Sequence, residues 1–308
     1  MGTCEGMVAL VTGASQGGTG RAVAVRLAAE GAKVAITARS QEGLDETCSM
    51  IESFGGTVVA FACDMGDPEP RAELVPRTEE QLGPIDILVS NAVAHAQKPV
   101  DQWALDELEW YGQVNLWGPW VMMAQVLPGM RERGRGWVLN LTSFSGELPP
   151  GPPFAFKAKD GSSMYGATKA ALNRLTVAAA GEHEGTGVAV NALTPQSAIL
   201  TPAVEASGLV SSFDLFEPVE AMAEAALALC TGDPAVLTGR IAYSLQLLLE
   251  LDRPMRDLYG KELVAGWQPV DLPAHIKVRS DFNAETGWPD SYNFHRPHTP
   301  YPAQLASL

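Results

Sequence analysis

Thr12-Gly13-Ala14-Ser15-Gln16-Gly17-Gly18-Thr19-Gly20-Arg21 is the stretch on which the fold turns. Val8–Thr12, before it, is a short apolar run that reads as a buried strand. Arg21–Glu30, after it, sets Ala and Val along one side and reads as a helix closed by Gly31. Glycines between a strand and a helix let the backbone turn tightly and approach a pyrophosphate. The helix N-terminus adds N–H donors and the positive end of its dipole. Gly13, Ser15, Gln16, Gly17, Gly18, Thr19 and Gly20 are therefore candidate phosphate-binding residues.

The alternation continues outward. Val34–Thr37, Val58–Ala62, Ile85–Ser90, Trp137–Thr142 and Val188–Leu193 read as strands, and Arg240–Ser244 as a last one. Helical patterns lie between them. One is capped by Ser40, with Leu44, Cys48 and Ile51 on one face; a charged one is interrupted near Pro70 and Pro76. A long one covers Asp101–Arg133 with a kink at Pro119, and others cover Ser163–Glu182 and Glu220–Cys230. Strands apolar on both faces, alternating with helices, predict an α/β chain: a doubly wound parallel sheet in a three-layer α/β/α arrangement, with an irregular C-terminal extension.

Residues 1–266 are expected to form one domain and residues 267–308 an extended arm. Within the domain, residues 146–162 form an enlarged Pro- and Gly-rich loop. After Leu245 a helix over Gln246–Val264 is expected, then an irregular tail. The tail holds Trp267, Phe282, Trp288, Tyr292, Phe294 and Tyr301, which point to an ordered arm packed on the domain or on a neighbouring subunit.

Composition narrows the function classes. Hydrophobic residues make up 46% and charged residues 19%, a globular, soluble balance. No apolar run approaches the ~20 residues that span a bilayer, so no membrane partner is expected. Met1–Gly6 is too short and polar for a secretory signal, which gives a cytoplasmic expectation. A net charge of −15 argues against a nucleic-acid partner. Cys4, Cys48, Cys63 and Cys230 form no CxxC, and His95, His183, His275, His295 and His298 form no HxxxH, so no metal is expected. His95 stands apart because the loop after Asn91 can border an active cleft.

The second strand speaks to the choice of cofactor. A carboxylate at its end would bind the adenosine ribose and disfavour a 2′-phosphate. Here the chain has Ala38-Arg39-Ser40. Arg39 suits a 2′-phosphate, so NADP is preferred to NAD. Asp64, with Met65 beside it, is placed to accept a hydrogen bond from the adenine amino group.

Tyr165-Gly166-Ala167-Thr168-Lys169 opens a helix, so Tyr165 and Lys169 share a face. A phenol with an ordinary pKa of ~10 is a poor base. A neighbouring ammonium favours its ionised form and makes it useful for acid–base work. Such a pair is common by chance; its surroundings make it informative.

Those surroundings resemble the short-chain dehydrogenase/reductase family over roughly Met7–Leu245. Thr12–Gly20 is similar to its TGxxxGxG loop, Asn91-Ala92-Val93 to its NAG motif, and Tyr165–Lys169 to its YxxxK motif. Asn115 and Ser143 stand for its helix asparagine and catalytic serine. Val190–Pro195 resembles the segment before its nicotinamide loop, and Leu237-Thr238-Gly239 the turn before its last strand. The resemblance implies a Rossmann fold. It implies Tyr165 as the acid/base, and Lys169 as the group that lowers its pKa and binds the nicotinamide ribose. Ser143 would orient the substrate oxygen, and Asn115 would hold a relay water through its backbone. Asn91, Ala92, Pro195, Ser197, Ala198 and Thr201 would touch the cofactor.

Several positions depart from the family pattern. The glycine turn is one residue longer, Val93 replaces glycine, Gln196 follows Pro195 in place of glycine, and Thr201 comes one place late. Ser143 and Tyr165 are 22 positions apart, where about a dozen is usual. The expected function is an NAD(P)-dependent oxidoreductase interconverting a ketone or aldehyde and an alcohol on a moderately large apolar substrate. The alternative is a non-catalytic nucleotide-binding sensor or structural subunit. Trp103, Trp110, Trp117 and Trp120 suggest core or subunit interface, and the resemblance implies a homodimer or homotetramer.

Overall fold

Every residue of β1 (Val8–Thr12) is buried, with alternate side chains entering two different cores. Ala9 and Val11 face one; Val8 and Leu10 face the other. That is the signature of a sheet covered on both sides. The computed structural model describes residues 2–15, 17–149, 151–154, 159–201 and 215–286.

The strands after β1 are β2 (Lys33–Ala38), β3 (Val58–Ala62), β4 (Ile87–Ser90), β5 (Gly136–Leu141), β6 (Val188–Thr194), β7 (Ala198–Ile199), β8 (Phe216–Glu217) and β9 (Ile241–Tyr243). Six of them join β1 in a seven-stranded sheet of order β3-β2-β1-β4-β5-β6-β9, each pair parallel. β7 and β8 pair separately, also parallel. The order reverses between β1 and β4, which opens a crevice at their carboxyl ends.

The helices are α1 (Thr19–Ala29), α2 (Gln41–Glu52), α3 (Pro68–Ala72), α4 (Leu74–Leu82), α5 (Leu105–Gly112), α6 (Gly118–Arg133), α7 (Ser163–Glu182), α8 (Val219–Thr231), α9 (Ser244–Glu250) and α10 (Leu272–Thr286). Leu27 of α1, Leu44 of α2, Leu229 of α8 and Leu248 of α9 fill the core on one face of the sheet. Leu74 of α4, Tyr111 of α5, Met122 of α6 and Ala179 of α7 fill the other. The three layers follow. No described helix is long and apolar enough to cross a membrane.

Three expectations are corrected. The stretch expected as one helix over Asp101–Arg133 is a 3₁₀ turn (Val100–Gln102), α5, a π turn (Gln113–Trp117) and α6. From Leu105 to Arg133 these elements run on without a break, so the expected long helix stands from Leu105 onward, with Pro119 inside it directly after the π turn. The helix expected to run to Val264 ends at Glu250, because Asp252 takes a positive φ of 46° and Pro254 follows. The stretch expected as irregular from Trp267 contains α10, whose Leu272 and Ile276 enter the core beside α9. Trp267 stacks on His275, ring centroids 3.8 Å apart. Trp288, Tyr292, Phe294 and Tyr301 lie outside the described residues.

Candidate active site

The phosphate turn is shaped by close backbone approach. Gly13 has a φ of +71°, and a Cβ there would lie 2.7 Å from the Ala92 Cα. A Cβ on Gly20 would lie 2.3 Å from both the Asn91 Nδ2 and the Gly13 carbonyl. Asn91 Nδ2 donates to the Thr12 and Gly13 carbonyls, each at 2.9 Å, and the Asn91 and Ala92 N–H groups donate to Thr12 Oγ1 at 3.0 Å. Asn91 and Ala92 thus brace the turn. α1 begins after Gly18 with no side-chain cap and no acidic residue in its first turn, which leaves its N–H groups to an anion. Gln16 lies outside the described residues.

From this turn a cavity of about 410 Å³ runs along the ends of β2 and β3. Ser15, Gly18, Arg39, Asp64, Met65 and Trp110 are among its walls. The Asp64 carboxylate accepts from the Gly66 N–H at 2.8 Å. Arg39 is exposed at the rim, its guanidinium 5.8 Å from the centre of the Trp110 ring. The indole of Trp110 occupies the space a Cβ on Gly66 would need, 2.2 Å from its Nε1. The cradle and donor set fit a dinucleotide.

The other end of the crevice holds the reactive side chains. Tyr165, Thr168 and Lys169 project from α7. Ser143 follows β5, where its hydroxyl accepts from the Ser145 N–H at 3.2 Å and lies near enough to the Tyr165 phenol to favour the phenolate. The 22-residue interval between them is closed by glycines. A Cβ on Gly166 would lie 2.6 Å from the Ser145 carbonyl, and one on Gly146 3.0 Å from the Ala170 N. The turn after Ser143 therefore seats directly on α7. Lys98 N–H donates to the Gly161 carbonyl at 2.8 Å, which ties the end of the enlarged loop to the loop after β4.

Lys169 is buried, and its Nζ donates to the Leu141 carbonyl at 2.7 Å. Burial pushes its pKa down to about 8. Burial also raises the Tyr165 phenol, while the Ser143 hydrogen bond opposes the rise. The net direction is upward, opposite to the expectation for the Tyr–Lys pair. The ammonium is engaged at Leu141 and lies 5.8 Å from the Tyr165 ring centre.

Asn115 sits inside the π turn. Its Nδ2 donates to the Ala94 carbonyl at 2.9 Å and to Thr168 Oγ1 at 3.2 Å, and its Oδ1 accepts from the Ala94 N–H at 2.8 Å. The extra residue of a π turn re-aims a side chain and frees local backbone groups. Here it links the loop after β4 to α7. The exposed His95 ring meets Tyr165 edge-on, centroids 4.8 Å apart. A second cavity, about 570 Å³, lies between Lys98, Val100, Ser145, Leu148, Gly161 and Ala167. Pro195 and Ser197 leave the end of β6, and Ala198 pairs with Phe216. Thr201 approaches the phosphate turn, with its methyl 3.9 Å from where a Cβ on Gly18 would stand. Sequence reasoning missed Trp110 as a cavity wall; only its place one turn before Asn115 could have suggested it.

A model of the short chain dehydrogenase family matches residues 7–208. The chain belongs to that family. Among its relatives is the ketoacyl reductase HetN of Nostoc sp., 33% identical over 195 residues, which are 63% of this chain and 64% of that protein. The chain thus spans under two thirds of that relative's length. The levodione reductase of Leifsonia aquatica is 34% identical over 203 residues, 65% of this chain and 72% of that protein. A crystal structure of a metagenomic short-chain oxidoreductase in complex with NADP superposes with a TM-score of 0.65 at 28% identity, covering 78% of this chain and 98% of that one.

Proposed function

We propose that this short chain dehydrogenase interconverts a ketone or aldehyde and an alcohol, with Tyr165 as the acid/base and NADP preferred to NAD. The observation that carries the reading is Tyr165 and Lys169 on one helix, the ammonium 5.8 Å from the phenol ring centre, with Ser143 beside the phenol in the crevice that begins at the phosphate turn. The nicotinamide, when bound, supplies or takes up the hydride at the carbonyl carbon.

In the reducing direction the Tyr165 O–H bond breaks and its proton passes to the carbonyl oxygen. The Ser143 hydroxyl donates to the same oxygen and stabilises the charge growing there. Burial raises the phenol's pKa and so works against proton release, while Ser143, the Lys169 ammonium and an oxidised nicotinamide beside it would favour the phenolate. Lys169 favours the phenolate once it forms and binds the nicotinamide ribose. Asn115 keeps α7 and the loop after β4 in register. Gly13, Ser15, Gln16, Gly17, Gly18, Thr19 and Gly20 hold the pyrophosphate. Arg39 pairs with the 2′-phosphate, Asp64 and Met65 line the adenine, and Asn91, Ala92, Pro195, Ser197, Ala198 and Thr201 complete the cofactor contacts.

A moderately large apolar substrate is part of the proposal. The 570 Å³ cavity beside Ser145 and Gly166 supports it, being within the ordinary size of a small-molecule pocket. So is a homodimer or homotetramer: Trp117 and Trp120 stand 47% and 48% exposed at the start of α6, a large apolar surface for a monomer to leave in water. The test is a panel of apolar ketones and aldehydes with NADPH and NADH, followed at the nicotinamide absorbance. Turnover with NADPH ahead of NADH is expected. Nucleotide binding without turnover on any member would turn the reading toward a non-catalytic role.

A further inference from the structure

Glu217 is fully buried, and it is not at either end of the crevice. A buried carboxyl is costly unless its oxygens are satisfied. Both are. Oε2 accepts from the Ser197 N–H at 3.1 Å, and Oε1 accepts from the Ser244 hydroxyl at 2.7 Å. The Ser244 Oγ in turn accepts from the Gln196 N–H at 2.9 Å. The Glu217 backbone carbonyl accepts from the Leu200 N–H at 3.1 Å, extending the β7–β8 pairing. Three backbone donors of the segment after β6 therefore end on Glu217, directly or through Ser244.

That segment has a particular place. It leaves β6 beside β5, where the Thr142 N–H donates to the Leu193 carbonyl at 2.8 Å, one residue before Ser143. It ends with Thr201 against Gly18. Residues 195–201 thus bridge the phosphate turn and the Tyr165 end. A dinucleotide reaching from the phosphate turn to Tyr165 would be bordered by them. The other charged and titratable groups near Glu217 come from separate elements. Arg279 of α10 favours the carboxylate, against burial, which pushes the acid up to about 8. Arg279 also faces Tyr243 of β9, whose phenol feels Glu147 from beyond β5.

We propose that Glu217 is a positioning residue for the nicotinamide half of the cofactor. It fixes residues 195–201 over the crevice and ties them to α9 and α10. The inference rests on the dinucleotide reading above. Glu217, Ser244 and Arg279 lie beyond residue 208, where the family match ends. The C-terminal helix thereby reaches the site without touching it.

The test uses the full chain and two probes: NADPH, which reaches both ends, and adenosine 2′,5′-bisphosphate, which reaches only the adenine end. Glu217→Leu leaves the Ser197 N–H and the Ser244 hydroxyl without their acceptors. NADPH binding is expected to weaken about tenfold, from the loss of two buried hydrogen bonds, while the bisphosphate binds within about twofold of wild type. Glu217→Gln keeps one acceptor oxygen for Ser197, and its amide can donate to Ser244, so it should recover most of the NADPH affinity. If Glu217→Leu does not fold, Ser244→Ala carries the same comparison, with a smaller selective loss for NADPH. Parallel weakening of both probes would make Glu217 a general structural residue and overturn the proposal, as would unchanged NADPH binding. A wild-type chain that binds neither probe would remove the dinucleotide reading itself.

Discussion

The His95 ring meets the Tyr165 ring edge to face, centroids 4.8 Å apart and planes 79° apart. An exposed loop residue is thus in contact with the proposed acid/base. Edge-to-face pairs contribute about 0.5–1.5 kcal/mol beyond their buried area. His95→Ala is expected to lower kcat/KM by roughly two- to tenfold, and His95→Phe, which keeps the contact, to restore it. Loss in both variants would mean that the imidazole takes part in proton transfer.

Arg39 and Trp110 meet at the rim of the 410 Å³ cavity, the proposed adenine end, and they make separable predictions. Arg39→Asp removes a charge-assisted partner of a 2′-phosphate and adds repulsion. NADP affinity should fall by about ten- to a hundredfold, with NAD affinity little changed or improved. Trp110→Ala removes the surface beside the guanidinium and should produce a smaller change in the same direction. Binding titrations with both dinucleotides check this; equal effects on NADP and NAD would make Arg39 an ordinary surface residue.

Lys169 predicts a conflict between stability and activity. Its folded pKa, about 8, lies below that of the free amine, about 10.4. Between those values the unfolded chain binds the extra proton, so stability rises with pH across the window and the buried ammonium destabilises below it. Lys169→Met should raise the melting temperature near pH 7, by an energy on the order of 1–3 kcal/mol, with the difference shrinking toward pH 10. The same variant should lose turnover. The raised Tyr165 phenol adds a second pH signature. Reduction should hold through neutral pH and fall at alkaline pH, where the phenol loses its proton, while alcohol oxidation should rise with pH.

The sheet order follows from features that are local in sequence. Strands apolar on both faces, the glycine turn and the helix over Ser163–Glu182 all declare themselves within a few residues. Asn115, Ser143, Tyr165 and Lys169 stand out as candidates because short motifs around them come in a known order along the chain, although the Ser143–Tyr165 interval does not match. Other features depend on contacts that no local pattern encodes. The π turn around Asn115 is a single-residue change in winding, invisible to an apolar period. α10 buries Leu272, Ile276 and Asn283, a stripe too polar and too sparse to read as a helix face. Glu217 looks like a surface acid until Ser197 and Ser244 are brought onto it from distant parts of the chain.

Residues 267–308 as an arm that supports the domain can be tested through α10. Leu272 is fully buried against the same core as α1 and α9. Leu272→Ala should cost about 2–5 kcal/mol, read as a lower melting temperature. Deleting residues 267–308 should cost at least as much and also weaken NADPH binding, since Arg279 leaves with the helix. A deletion with unaltered melting and binding would contradict the arm's role.

The most direct measurement is turnover by Tyr165→Phe beside its affinity for NADPH. The phenyl ring keeps the fold and the His95 contact but has no proton to give. kcat should fall by roughly a hundred- to ten-thousandfold, the usual contribution of a positioned acid, with NADPH binding within a factor of about two. A Tyr165→Phe enzyme as active as wild type would contradict the assignment of Tyr165 as the acid/base.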